Sequence, residues 1–179
     1  MSPMWHYFFM NILITGAPHI GKSTLLVNVV EGIKSKQGFI TGEVLDQGYR
    51  IGFELVSAIG DKALLASVNS SSKIRVSKYG VDIDTLDNFL ESLPEPLPND
   101  LLYLDEVGEM ELYSSNFKRL VEYYLDLPNA FVGTLSSVYH DEFTDKLRER
   151  SDVEVIELDL ANRDSLKNEL VAKITMHLA

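Results

Sequence analysis

The sequence predicts an α/β fold: a three-layer α/β/α sandwich around a mostly parallel sheet. Three observations predict it. Short apolar runs alternate with segments of helical periodicity along most of the chain. A glycine-containing loop, Gly16-Ala17-Pro18-His19-Ile20-Gly21-Lys22-Ser23, stands between the apolar run Asn11–Thr15 and a segment with Leu25, Leu26, Val29, Val30 and Ile33 on one helical face. Leu101-Leu102-Tyr103-Leu104 is continuously apolar and stops at Asp105-Glu106, the pattern of a strand buried on both faces.

The loop fits G-x-x-x-x-G-K-[ST], a phosphate-binding pattern. Gly16 and Gly21 let the backbone fold tightly, so that successive N–H groups can point at phosphate oxygens. The helix that follows adds about half a positive charge at its start. Lys22 is placed to reach the β- and γ-phosphates, and the Ser23 hydroxyl to ligate Mg²⁺. Without the flanking strand and helix the pattern would be no more than a glycine turn.

The remaining elements follow in order. The first helix is expected to run to about Lys36, with Gly38 as a left-handed terminator. Phe39–Leu45, Tyr49–Ile59 and Lys62–Val68 read as an antiparallel meander inserted after that helix, turning at Asp46-Gln47-Gly48 and Gly60-Asp61. Ser70–Lys73 is a polar connection, and Ile74–Val76 a further short strand. Asp84 is the expected N-cap of a short helix with Leu86, Phe89, Leu90 and Leu93 inward, closed by Pro94, Pro96 and Pro98. After the central strand come a helix over about Ser114–Leu127, a strand at Ala130–Thr134, a charged helix or lid over 141–150, an edge strand at Val153–Leu158 and a final helix carrying Leu166, Leu170, Val171, Ile174 and Leu178. The chain reads as one domain over 1–179 with no internal repeat, and residues 1–9 as an extension ahead of Met10.

Composition excludes several classes. With no cysteine, disulfides, thiolate metal sites and cysteine nucleophiles are ruled out. Four scattered histidines form no i,i+4 pair, which disfavours a histidine metal site. A formal net charge of -11 leaves no basic surplus for a nucleic acid backbone. The apolar N-terminal stretch is too short to span a bilayer and lacks a positive flank, so a membrane partner is not expected, and a cytoplasmic location is.

A phosphate loop alone hydrolyses nothing; a second carboxylate must hold the cation and a base must orient the attacking group. Asp105, at the end of an apolar strand, is the expected second Mg²⁺ ligand beside Ser23. Glu106 is placed to polarise a water for in-line attack on the γ-phosphorus. The bland alternative is an acidic strand end.

Gly16–Thr24, Gly38–Val44, Arg50-Ile51-Gly52-Phe53, Tyr79-Gly80-Val81, Asp105-Glu106-Val107-Gly108-Glu109-Met110-Glu111-Leu112 and Asn162-Arg163-Asp164 occur in this order. Together they resemble the THEP-type nucleoside-triphosphatases, whose animal members are called cancer-related nucleoside-triphosphatase. The resemblance covers about residues 11–170. It implies a RecA-like P-loop NTPase domain and slow, Mg²⁺-dependent hydrolysis of ATP, GTP, CTP and UTP to NDP and phosphate, with broad base preference. It also implies nucleotide contacts from the whole of Gly16–Thr24 and from Asp105, Glu106 and Gly108. Two positions depart from the family pattern: His19 stands where glycine is usual, and Glu109 where lysine is common. A glycine at position 19 would supply a positive φ that histidine tolerates only at some cost.

Other candidates keep two readings each. Thr134 and Ser136 end a core strand, where a hydroxyl can contact the γ-phosphate or merely terminate the strand. Arg148 and Arg150 are candidate catalytic arginines in cis, or surface partners of Asp145, Glu149 and Asp152. Asn162 and Arg163 are candidate base contacts, or belong to the start of the final helix. No Asn-Lys-x-Asp guanine-reading motif occurs. A small P-loop kinase and a nucleotide-gated binding module stand beside the hydrolase as alternatives.

Overall fold

The computed structural model describes residues 10–178, so the expected extension over 1–9 lies outside the described residues. Nine strands form one sheet: β1 (Asn11–Thr15), β2 (Lys36–Asp46), β3 (Tyr49–Ser57), β4 (Lys62–Ser67), β5 (Arg75–Val76), β6 (Tyr79–Val81), β7 (Leu101–Val107), β8 (Phe131–Leu135) and β9 (Val153–Glu157). Their spatial order is β5-β6-β4-β3-β2-β7-β8-β1-β9. From β2 to β9 the neighbours are parallel, and from β2 to β5 they are antiparallel.

Six helices complete the fold: α1 (Lys22–Val30), α2 (Ile83–Ser92), α3 (Glu109–Leu112), α4 (Ser115–Asp126), α5 (Glu142–Glu149) and α6 (Arg163–His177). Successive side chains of a strand face opposite ways, so the core splits in two. Ile12, Ile14, Leu101, Tyr103 and Val132 pack against α1 and α6. Leu13, Leu102, Leu104, Phe131 and Leu135 pack against α2, α4 and α5. Each fully buried side chain of this kind contributes about 1.5–3 kcal/mol. The expected three-layer sandwich is therefore present, with helices on both faces.

The expected antiparallel meander follows α1 and continues the main sheet. Its first strand, β2, pairs in parallel with β7 on one edge and antiparallel with β3 on the other. Ile40 lies opposite Asp105, so residues beyond Thr41 rise past the carboxyl edge of the core and wall it on one side. At the β2–β3 turn, Gln47 and Gly48 both take positive φ, at 47° and 83°, as a tight hairpin requires.

Several boundaries differ from expectation. The first helix stops at Val30, and Lys36 already belongs to β2. Gly38 is not a helix terminator but a strand residue at φ 149°, where a Cβ would lie 1.8 Å from the Tyr103 carbonyl oxygen. Asp82, not Asp84, caps α2 by accepting from the Thr85 N–H at 2.9 Å. The single turn α3 and the three-residue β6 carry too few residues to show a period, and neither was anticipated. The helix expected over about Ser114–Leu127 is α4, capped by Ser114, whose hydroxyl accepts from the Phe117 N–H at 3.0 Å.

Replacing Gly38 with alanine is expected to destabilise the protein by about 3 kcal/mol or more, because the β2–β7 ladder must part to admit one methyl group. Urea denaturation against the unmodified chain checks this.

Candidate active site

The loop after β1 is shaped by positions that take positive φ. Gly16 has φ 146°, and a Cβ there would meet the Leu158 carbonyl oxygen at 2.5 Å. That oxygen ends the run hydrogen-bonded to β1, so strand pairing fixes the approach. His19 has φ 64°, the left-handed conformation expected of a position where glycine is usual. Gly21, at φ 110°, precedes α1, which has no side-chain cap and no acidic residue in its first turn. Its first amides therefore remain available to an anion. Lys22 is nearly buried, and its ammonium donates to the Gly16 carbonyl at 3.0 Å and the Ala17 carbonyl at 3.4 Å.

The end of β7 faces this loop across β8. Asp105 is buried, and its Oδ1 accepts from Ser23 Oγ at 3.0 Å and, at short range, from Thr134 Oγ1. Burial pushes the Asp105 carboxyl up, while the Thr134 and Ser23 hydrogen bonds and the Lys22 charge pull against it. Thr134 is thus a support for the carboxylate, not a group presented to the cleft surface. Ser136 does line the cleft, and its hydroxyl accepts from the Tyr139 N–H at 3.2 Å.

Glu106 lies in the same cleft. Its pKa is raised by burial and by Asp105, and lowered by Lys22. Gly108 gives it room: a Cβ at 108 would lie 2.8 Å from Glu106 Oε1. Below them Glu111 is fully enclosed, and burial lifts its carboxyl to about 8. Thr41 Oγ1 lies 2.7 Å from the Asp105 carbonyl and 3.2 Å from Glu111 Oε1. The hydroxyl has one proton, which the carbonyl requires; a neutral Glu111 then donates to Thr41. The sequence gives Thr41 no role beyond lining or covering the cleft, as it does, and gives Glu111 none. Their signal was present only as membership of the motif stretches around residues 41 and 111.

The cleft these groups share has a volume of about 630 Å³. Pro18, His19, Gly21, Lys22, Ser23 and Thr24 line it on the loop side. Ala17 is exposed, and Ile20 turns toward the core formed with α1 and α6.

The candidate arginines separate. Arg148 Nη2 donates to the Ser136 carbonyl at 2.7 Å and Arg148 Nη1 lies 3.5 Å from Asp145, which brings it behind the cleft wall. Arg150 is bound to Asp152 at 2.6 Å and Asp126 at 2.8 Å, beside the amino end of β9. That is the opposite end of the strands from the loop, so Arg150 is corrected to a surface ion-pair residue. Asn162 Nδ2 donates to the Glu157 carbonyl at 2.8 Å and its Oδ1 accepts from the Asp159 N–H at 2.9 Å, closing the β9–α6 turn. Arg163 is half exposed, with Asp164 at 3.9 Å. Neither Asn162 nor Arg163 lines the cleft.

Among the described residues no group of three or more His, Asp or Glu could hold a metal alone. Ser23 and Asp105 nevertheless fit Mg²⁺: both present hard oxygens, already 3.0 Å apart, beside a site for phosphate oxygens that would complete the shell.

A glycine loop opening a helix, with an acidic strand end two strands away, defines a P-loop NTPase. Residues 11–171 match the family model described as NTPase. A nucleoside-triphosphatase THEP1 from Thermotoga maritima is 36% identical over 165 residues, covering 91% of this chain and 94% of that protein. The corresponding protein from Archaeoglobus fulgidus is 38% identical over 165 residues, covering 90% and 96%. The crystal structure of THEP1 from Aquifex aeolicus superposes with a TM-score of 0.80 at 28% identity, covering 92% of this chain and 99% of that one. The solution structure of a human cancer-related nucleoside triphosphatase gives 0.77 at 29%, covering 93% and 98%. The chain belongs to this nucleoside-triphosphatase family. No helix among the described residues is long and apolar enough to cross a membrane.

Glu111 generates a prediction of opposite sign to a salt-bridged carboxylate. Its folded pKa of about 8 lies above the ordinary value of 4.5, so the folded chain holds a proton that the unfolded chain has lost. Its contribution is fully present below about pH 4.5 and is lost as pH rises through 8, at up to about 1.4 kcal/mol per pH unit. In metal-free buffer Glu111→Gln is expected to flatten this fall, with urea midpoints at pH 5, 7 and 9 as the measurement.

Proposed function

We propose that this chain is an Mg²⁺-dependent nucleoside-triphosphatase that hydrolyses ATP, GTP, CTP and UTP to NDP and phosphate with broad base preference. The carrying observation is the cleft that Lys22, Ser23, Asp105 and Glu106 share. Lys22 and the loop amides hold the β- and γ-phosphates. Ser23 Oγ and the Asp105 carboxylate hold the cation. When bound, Mg²⁺ supplies charge neutralisation at the phosphate oxygens. Glu106 accepts the proton of a water attacking the γ-phosphorus in line, and its raised pKa makes it a stronger base than an ordinary surface carboxylate. Burial around these groups strengthens each electrostatic contact by excluding water.

Broad base preference is supported by the β9–α6 turn. Asn162 is spent on closing that turn, and Arg163 is half exposed there. Neither residue lines the cleft, so this turn offers it no side chain that reads one base edge.

Phosphate release from the four ribonucleotides, with Mg²⁺ and with EDTA, tests the proposal. Release of similar size from all four, abolished by EDTA, is expected; release confined to one base counters the broad preference. Glu106→Gln is expected to lower kcat by about 10²-fold or more while leaving nucleotide binding nearly unchanged. Near-normal release by that variant would remove Glu106 from the chemistry.

A further inference from the structure

The cleft extends in one direction only. From the loop it crosses Asp105 and Glu106 and continues to the β2–β3 hairpin, β5 and the segment after β8. It does not extend to the β9–α6 turn. The loop follows β1, and Asp105 lies near the carboxyl end of β7 two strand spacings away, about 10 Å. A triphosphate held by Lys22 and by a cation on Ser23 and Asp105 therefore ends with its γ-phosphate toward β7. Whatever fills the space beyond Glu106 faces the attacked side of that phosphorus.

That far end has a definite chemistry. Phe53, Val76, Met110 and Tyr139 make it apolar. Phe53 is held firmly: the Arg50 guanidinium lies 5.1 Å from its ring centre and Tyr79 meets its edge at 5.0 Å. Arg50 itself is committed to Glu43 and to the Tyr79 hydroxyl, and does not line the cleft. Glu43, Glu109 and Glu111 are the carboxyl groups here, and Glu111 is enclosed against Thr41. Glu43 is neutralised by Arg50, whereas Glu109 has no ion-pair partner among the described residues. The lysine of the cleft, Lys22, sits at the loop end, and among the described residues no lysine or arginine lines the far end. An anionic guest such as a nucleoside monophosphate would be repelled; an ammonium with an apolar body would be retained.

We propose that this far end is a second-substrate subsite for a small hydroxyl-bearing amine with an apolar body, its ammonium at Glu109 and its hydroxyl at Glu106. The inference rests on the reading of Glu106 as the base. The hydroxyl oxygen bonds to the γ-phosphorus, its proton passes to the Glu106 carboxylate, and the bond from the γ-phosphorus to the β,γ-bridging oxygen breaks. The products are a phosphate ester and NDP. Hydrolysis is the same step with water in the hydroxyl's place.

The test uses the full chain with Mg²⁺ and two probes of equal shape: 2-amino-1-phenylethanol, a cation, and mandelate, an anion. Binding is measured by calorimetry beside a non-hydrolysable ATP analogue, and transfer by label from [γ-³²P]ATP. The amine is expected to bind and yield a labelled ester, and mandelate to do neither. Glu109→Gln, at a half-buried position, is expected to weaken amine binding about tenfold and leave acceptor-free phosphate release unchanged. Equal binding of both probes, no labelled ester from the amine, or an unaltered Glu109→Gln affinity would overturn the subsite with hydrolysis intact. So would weakening of the ATP analogue in its place, since the far end would then hold the nucleoside. Absence of acceptor-free release from the unmodified chain is a separate result, which overturns the hydrolase reading.

Discussion

Ser23 and Asp105 stand 82 positions apart in the chain and meet at 3.0 Å. Everything functional depends on that meeting. It requires β7 to lie two strands from β1, with β8 between them to carry Thr134 under the same carboxylate oxygen. It requires β1 to release the chain into a loop that turns back at once, which Gly16 permits because its missing Cβ leaves room for the Leu158 carbonyl. And it requires Asp105 to be held from behind. Thr41 does this on the main-chain side, with the neutral Glu111 beneath it. A carboxylate with three oriented neighbours and a lysine at hand is pre-organised for a cation; its surroundings need little rearrangement on binding.

The sequence made the parallel half of the fold legible because its signals are strong and local. The Asn11–Thr15 and Leu101–Leu104 runs are apolar on both faces, and the glycine loop has fixed spacing. The meander was legible as strands but not as part of the main sheet. Alternation along Phe39–Leu45 reveals a strand, and nothing in it reveals that Lys36–Ile40 also pairs with β7. The same blindness misassigned Gly38: as a punctuation mark after a helix it looked sufficient, whereas its actual cause is the Tyr103 carbonyl, 65 residues away. Asp82 and Asp84 are two residues apart and chemically alike, so only the observed backbone distinguishes the cap.

At the site, the residues carried by motifs fell where expected: Lys22, Ser23, Asp105 and Glu106 converge. The residues argued from position alone divided. Arg148 lies in the last turn of α5 and Arg150 just past it, yet one reaches the Ser136 carbonyl and the other turns to Asp126 and Asp152 by the amino end of β9. Two residues along a helix is a rotation of about 200°, so sequence adjacency carries little about which end of the strands a side chain serves. Thr134 was placed on the correct strand end, but it faces Asp105 and not the open cleft. Thr41 is legible only as a meander residue lining the cleft, and its pairing with Glu111 is not, because a buried hydroxyl–carboxyl pair leaves no pattern in a single chain.

The strand β2 is hydrogen-bonded along both edges, to β7 and to β3. A wall built this way cannot swing outward without tearing a ladder, and β3 is tied to β4 in turn. The opening therefore behaves as a fixed slot on that flank, with its width set by side-chain volume. Guests would be sorted by steric exclusion at the threshold, and evolution could retune that sorting through single hairpin side chains while the phosphate machinery stayed untouched.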